Sequence, residues 1–82
     1  MHRVEVRVHS SADLVRERVP ATTGLLIAEQ EDTCRLVLGT NDLDWAARYI
    51  TALNLDVDVI TPQALSERLT ALGRWLIERY SS

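Results

Sequence analysis

Covalent catalysis needs a nucleophile with a base in hydrogen-bond reach, and metal binding needs histidine, cysteine or carboxylate ligands at short, regular spacings. The 82-residue chain offers two imidazoles, His2 and His9, and one thiol, Cys34. His2 stands beside the N-terminus. His9 ends an alternating run on the side opposite Val4, Val6 and Val8, whereas Cys34 shares the parity of Leu36 and Leu38. Thiol and imidazole are therefore expected on opposite sides of a sheet, and no catalytic residue is assigned. Neither C-x-x-C nor H-x-x-x-H occurs, so no metal ligand and no cofactor is assigned. A single cysteine cannot form an internal disulfide; it suits a reducing cytoplasm and reads as a small buried hydrophobe. The glycines at 24, 39 and 73 are isolated, which gives no glycine-rich phosphate cradle. Asp42 and Asp44 read as ordinary acidic partners of a helix's first turn rather than as paired catalytic acids.

Recognition chemistry is better represented. Trp45 and Tyr49 lie four residues apart, and with Arg48 and Ala52 they fall away from the stripe of Leu43, Ala46, Ile50 and Leu53. Tryptophan, tyrosine and arginine are the residue types enriched at interface hot spots, so Trp45, Arg48 and Tyr49 form a candidate patch. The competing expectation is that Trp45 packs beneath the C-terminal helix, against Trp75, as part of the core. Arg7 and Arg35, with Glu5 and Asp58, fall on the wet side of their strands; cross-strand charge pairs are the ordinary expectation and an anion-binding surface the sharper one. Leu76 belongs to a third candidate surface, since Leu65, Leu69, Leu72, Trp75, Leu76 and Ile77 carry more apolar area than one solvated helix face should.

The elements that must position these residues follow from periodicity. Val4, Val6 and Val8 alternate with Glu5, Arg7 and His9, a half-buried strand. Ser10 or Ser11 then caps a short helix that Pro20 stops near Val19. Residues 23–28 and 34–38 read as two strands of a hairpin, joined by the polar stretch 29–33 and closed by Gly39. Asn41 or Asp42 caps the next helix, and Asn54 ends it as a left-handed residue. Residues 55–60 alternate as a fourth strand. Thr61-Pro62 opens the last helix, with Thr61 as cap and Pro62 in the first turn, and Leu65, Leu69, Leu72, Leu76 and Tyr80 recur along it to the end. Truncation in the middle of that stripe, at Leu69, is expected to cost roughly 2–5 kcal/mol.

The order β-α-β-β-α-β-α predicts an α+β fold: a ferredoxin-like split β-α-β sandwich over residues 1–82, with one added C-terminal helix. Strands one and three are expected side by side and parallel, with strands two and four at the edges. The last helix covers the opposite sheet face, extends the helical layer, or reaches a second molecule. At 82 residues with 46% hydrophobic and 26% charged, the chain supports one core and is not of disordered composition. No apolar run is long enough to span a bilayer and none follows the N-terminal charge as a signal would, so no membrane partner is expected. Nine arginines and no lysine stand against twelve acids, a formal charge of −3, which predicts no direct binding to duplex DNA.

The segment from Asn41 to Ile50, with Asp44-Trp45 at its helix start, and the segment from Asp56 to Leu65, with its valine-rich strand and Pro62, resemble the C-terminal extension of WYL-domain bacterial transcription regulators, the WCX domain. Arg7, Trp45, Pro62, Leu65 and Tyr80 occupy the places of that pattern. Two positions depart from it: Asn54-Leu55 stands where a glycine is common, and Ser66 stands where an arginine often follows the leucine of the last helix. The resemblance implies a C-terminal part of a larger cytoplasmic regulator, with a winged helix-turn-helix DNA-binding domain and a WYL domain as its partners in the parent protein. It also implies a non-catalytic regulatory and oligomerisation role, and a homodimer is expected. The reading from another class is a stand-alone small-molecule-binding ferredoxin-like domain.

Overall fold

A computed structural model describes residues 1–81. In chain order it comprises β1 (His2–Val8), α1 (Ala12–Arg18), β2 (Leu25–Gln30), β3 (Thr33–Thr40), α2 (Leu43–Ala52), β4 (Val57–Thr61) and α3 (Gln63–Tyr80). Alternation fixes the faces of the sheet. Val4, Val6 and Val8 of β1 and Cys34, Leu36 and Leu38 of β3 point into the core, while Arg3, Glu5 and Arg7 stand on the other side.

The strand order is β2-β3-β1-β4, the ferredoxin-like arrangement, with β2 and β4 at the edges as expected. Every pairing is antiparallel, which corrects the expected parallel alignment of β1 and β3. The reason is topological. The α1 crossover makes β1 and β2 run the same way, and the tight β2–β3 hairpin then reverses the chain, so β3 returns against β1. The hairpin turns on Glu31-Asp32 alone: β2 is shifted two residues along the chain from the expected 23–28, so that Glu29 and Gln30 belong to it, and β3 is longer than expected, with Gly39 pairing with Arg3 rather than ending the strand.

All three helices lie on the valine face. Val15 and Val19 enter the core from α1, Leu43, Ala46, Ala47, Ile50 and Leu53 from α2, and Leu65 from α3. Of the three places open to the last helix, it takes the one beside α2, over β4, and so extends the helical layer. Its start differs from expectation. Thr61 closes β4, Pro62 has extended backbone and is itself the cap residue, and no side chain bonds to the free amides of the first turn.

Local signals hold the other ends. Ser11 Oγ accepts from the Leu14 amide at 3.3 Å. Asp42 accepts from the amides of Asp44 and Trp45 at 3.0 and 3.1 Å. Asn54 takes φ 56°, the left-handed conformation that glycine adopts most easily, and so performs the turn for which the family pattern often has glycine. Arg18 of α1 donates to the Leu53 carbonyl at 2.8 Å, placing a cation at the negative end of α2. Asp42→Ala removes both cap bonds and is expected to lower stability by about 1 kcal/mol, measured as a shift of the urea midpoint at unchanged slope.

Candidate functional site

The sequence singles out residues that the fold divides between two surfaces. Arg7 and Arg35 stand on the open sheet face, directly opposite each other across β1 and β3. Like charges so placed repel, and each turns to an acid elsewhere. Arg7 reaches past β3 to Glu29 of β2 at 3.0 Å, and Arg35 approaches Glu5 at 3.6 Å, with Arg3 on the other side of Glu5 at 3.4 Å. Asp58, the cross-strand neighbour of Arg7, is engaged by His9 at 2.6 Å. Glu29 belongs to β2 rather than to the polar hairpin stretch 29–33, and its parity with Leu25 and Ile27 is the signal that assigns it to this face.

These contacts set the titration behaviour. The bond to Glu29 raises the Arg7 pKa, and the same bond holds the Glu29 carboxyl below its usual range. The bond to Asp58 holds the His9 pKa above the ordinary 6.5. The fold therefore favours protonated His9, and this contribution is complete below about 6.5 and lost as pH rises through the raised value. Relative to His9→Gln, the thermal midpoint of the wild type is expected to fall as pH rises above about 6.5; parallel profiles would show that the pair contributes nothing. Cys34 is buried under the helices, and burial pushes its thiol pKa up, away from the reactive thiolate.

With each arginine of the sheet face beside a carboxylate, the face is a ladder of charge pairs, the ordinary expectation, rather than an anion cradle. Between the pairs lie apolar side chains: Leu25 opposite Val37, Ile27 beside Arg35, and exposed Ile60.

The second surface is on the helices. Trp45 stacks on Tyr49, centroids 5.1 Å apart and rings inclined by 16°, and Trp45 remains 44% exposed. It does not pack against Trp75, which contacts Tyr80 edge-on at 6.2 Å; the core expectation for Trp45 is thus corrected. Core space under α2 is filled by Ala46, Ala47 and Ile50, and the Trp45 position is rotated out of it. Arg48 turns to the groove between α2 and α3, about 280 Å³, where Asp44, Arg68 and Trp75 join it. Arg68 closes one end by donating to both carboxylate oxygens of Asp44, at 3.0 and 3.1 Å. Asp44 thus has a tertiary partner besides its place in the first helical turn, a pairing across 24 residues that no local pattern announces. Leu76 lies on α3 and is 39% exposed.

Residues 1–76 match the family model of the WCX domain. The chain belongs to the WCX domain family. No curated protein and no solved structure matches it. Within this WCX domain the family-pattern residues have separate tasks. Leu65 anchors α3 in the core, Pro62 caps it, Trp45 and Tyr80 remain at the surface, and Arg7 bridges β1 to β2. Ser66, where the pattern often has arginine, does not line the α2–α3 groove, whose arginines are Arg48 and Arg68. No helix among the described residues is long and apolar enough to cross a membrane.

Proposed function

We propose that this WCX domain is the non-catalytic regulatory and oligomerisation module of a cytoplasmic WYL-type bacterial transcription regulator, working as a homodimer in a parent protein that also carries a WYL domain and a winged helix-turn-helix. The observation that carries the reading is the family match over residues 1–76 of 82. Its surfaces suit that role: Trp45 and the distal end of α3 present apolar area, and on the sheet face charges that pair with one another surround exposed Leu25 and Ile60.

The direct test is the reading frame around the segment that encodes residues 1–82. Extended upstream, it is expected to encode the two partner domains, and an in-frame stop just before Met1 would overturn the reading. In the parent protein, deletion of residues 1–82 is expected to weaken operator binding by roughly 100-fold, because a dimer engages two half-sites at once. The isolated domain, at a formal charge of −3, is expected to bind duplex DNA no better than a generic acidic protein. Salt-sensitive submicromolar binding in a filter or polarisation assay would contradict that expectation.

A further inference from the structure

Two stripes of side chains face each other across the cleft between α2 and α3. Asp44, Ala47 and Arg48 recur at three- and four-residue spacing on α2, and Arg68, Ala71 and Trp75 do so on α3, so each set lies on one side of its helix. The middle member of each set is alanine. Two methyl groups stand where longer side chains would interdigitate, and the groove of about 280 Å³ stays open between the helices.

The charges of the groove do not cancel. Arg68 gives one nitrogen to both oxygens of Asp44, at 3.0 and 3.1 Å, which occupies the carboxylate and holds the guanidinium in place with its other N–H groups free to donate. Arg48 stands one turn after Asp44 yet makes no ion pair among the described residues. Two guanidinium groups against one carboxylate leave one surplus positive charge, in a chain whose formal charge is −3. The open sheet face differs, because Arg7 and Arg35 each have a carboxylate beside them there. Trp75 supplies an apolar wall: its indole is 46% exposed and meets Tyr80 edge-on at 6.2 Å.

We propose that the α2–α3 groove binds a small aromatic monocarboxylate, with its carboxylate on Arg48 and the free N–H groups of Arg68 and its ring against Trp75. The planar fork of a guanidinium matches a carboxylate, and an indole offers its face or edge to a second ring. One surplus charge selects a monoanion, because a phosphate monoester brings nearly two negative charges and would leave the site overcharged. Size points the same way. Ligand cavities run from roughly 300 to 1,000 Å³, and a groove of about 280 Å³ lies at the small end, suited to one ring or two fused rings and not to a nucleotide or a peptide. This inference goes beyond the regulatory role proposed above and does not depend on it.

An amide and indole NMR titration of the 82-residue chain with naphthoate tests it. Saturable shifts are expected at the groove residues of α2 and α3, with a dissociation constant on the order of 1 mM for a ligand of so few heavy atoms. Naphthylmethanol, which lacks the charge, and acetate, which lacks the ring, should each bind about tenfold more weakly or worse. Arg48→Gln and Trp75→Leu change exposed side chains outside the buried core, so their thermal midpoints should hold while each weakens naphthoate binding about tenfold. Either variant, once shown to fold, decides the matter alone. Asp44→Asn raises the surplus to two charges and should turn the preference from naphthoate to naphthyl phosphate, a reversal that a merely apolar groove would not show. Shifts that do not saturate by about 10 mM, ten times the expected constant, would overturn the proposal. So would shifts centred away from the groove, equal binding of naphthylmethanol, or unchanged affinity in a folded Arg48→Gln or Trp75→Leu variant.

Discussion

Leu65→Ala is expected to lower the stability of the domain by about 2–5 kcal/mol, the cost of truncating a leucine at a site that cannot collapse around the cavity. Leu65 is fully buried, and it is the only α3 side chain in the buried core, where it meets residues of the sheet and α2. The stripe alone pointed to Leu69, but Leu69 is only partly buried and its truncation should cost less than that of Leu65. The difference arises because α3 leaves the domain as it proceeds, so the most protected leucine is the first and not the middle one. Since a small domain has only about 5–15 kcal/mol to lose, Leu65→Ala should detach α3 or unfold the whole chain near physiological temperature. Chemical denaturation compares the two variants. A Leu65→Ala midpoint equal to wild type, or a larger loss at Leu69, would show that the helix is not anchored as described.

What the sequence made legible is what depends on neighbours in the chain. The alternation of Val4, Val6 and Val8, the cap at Asp42, the left-handed Asn54 and the inward parity of Cys34 each involve a few consecutive residues, and each is found as expected. The candidate surfaces depend on distant partners. Arg7 bonds to Glu29 across 22 residues and Asp44 to Arg68 across 24, and neither pairing has a local signature. The direction of β3 is non-local for a related reason: the hairpin and the crossovers each have local signals, but only their combined sense along the whole chain sets β3 against β1. Trp45 shows the limit of a helical wheel. Its rotation away from the stripe was legible, but whether α3 would lie over it depended on where α3 leaves β4, and α3 takes the Asp44–Arg48 side of α2 instead.

Gly24→Val is expected to destabilise the domain by roughly 1–3 kcal/mol or more, the range for forcing atoms into occupied space. The sequence presents Gly24 as a glycine at a strand end, where many residues would serve. Its backbone has no positive φ, so conformational freedom is not the reason it is needed. The reason is proximity: a Cβ there would stand 2.6 Å from the Val37 carbonyl oxygen, 3.1 Å from Leu38 Cβ and 3.3 Å from Leu36 Cδ1. The first of these is backbone of β3, held on its other side by β1, so it cannot swing away as a flexible side chain would. Relief must come from β2, the edge strand, lifting off β3 at Leu25–Val37 and weakening the ladder that carries Glu29 to Arg7. Even Gly24→Ala should therefore destabilise, whereas Gly73→Ala, in open space within a helix, should stabilise the monomer by about 1 kcal/mol. The opposite signs of two identical substitutions make a sharp comparison in one denaturation experiment. Hydrogen exchange locates the damage: in Gly24→Ala the β2 amides that bond to β3 should exchange faster than those of β1. Uniform acceleration across the sheet, or a stabilised Gly24→Ala, would show that the approach of residue 24 to Val37 is not what requires glycine.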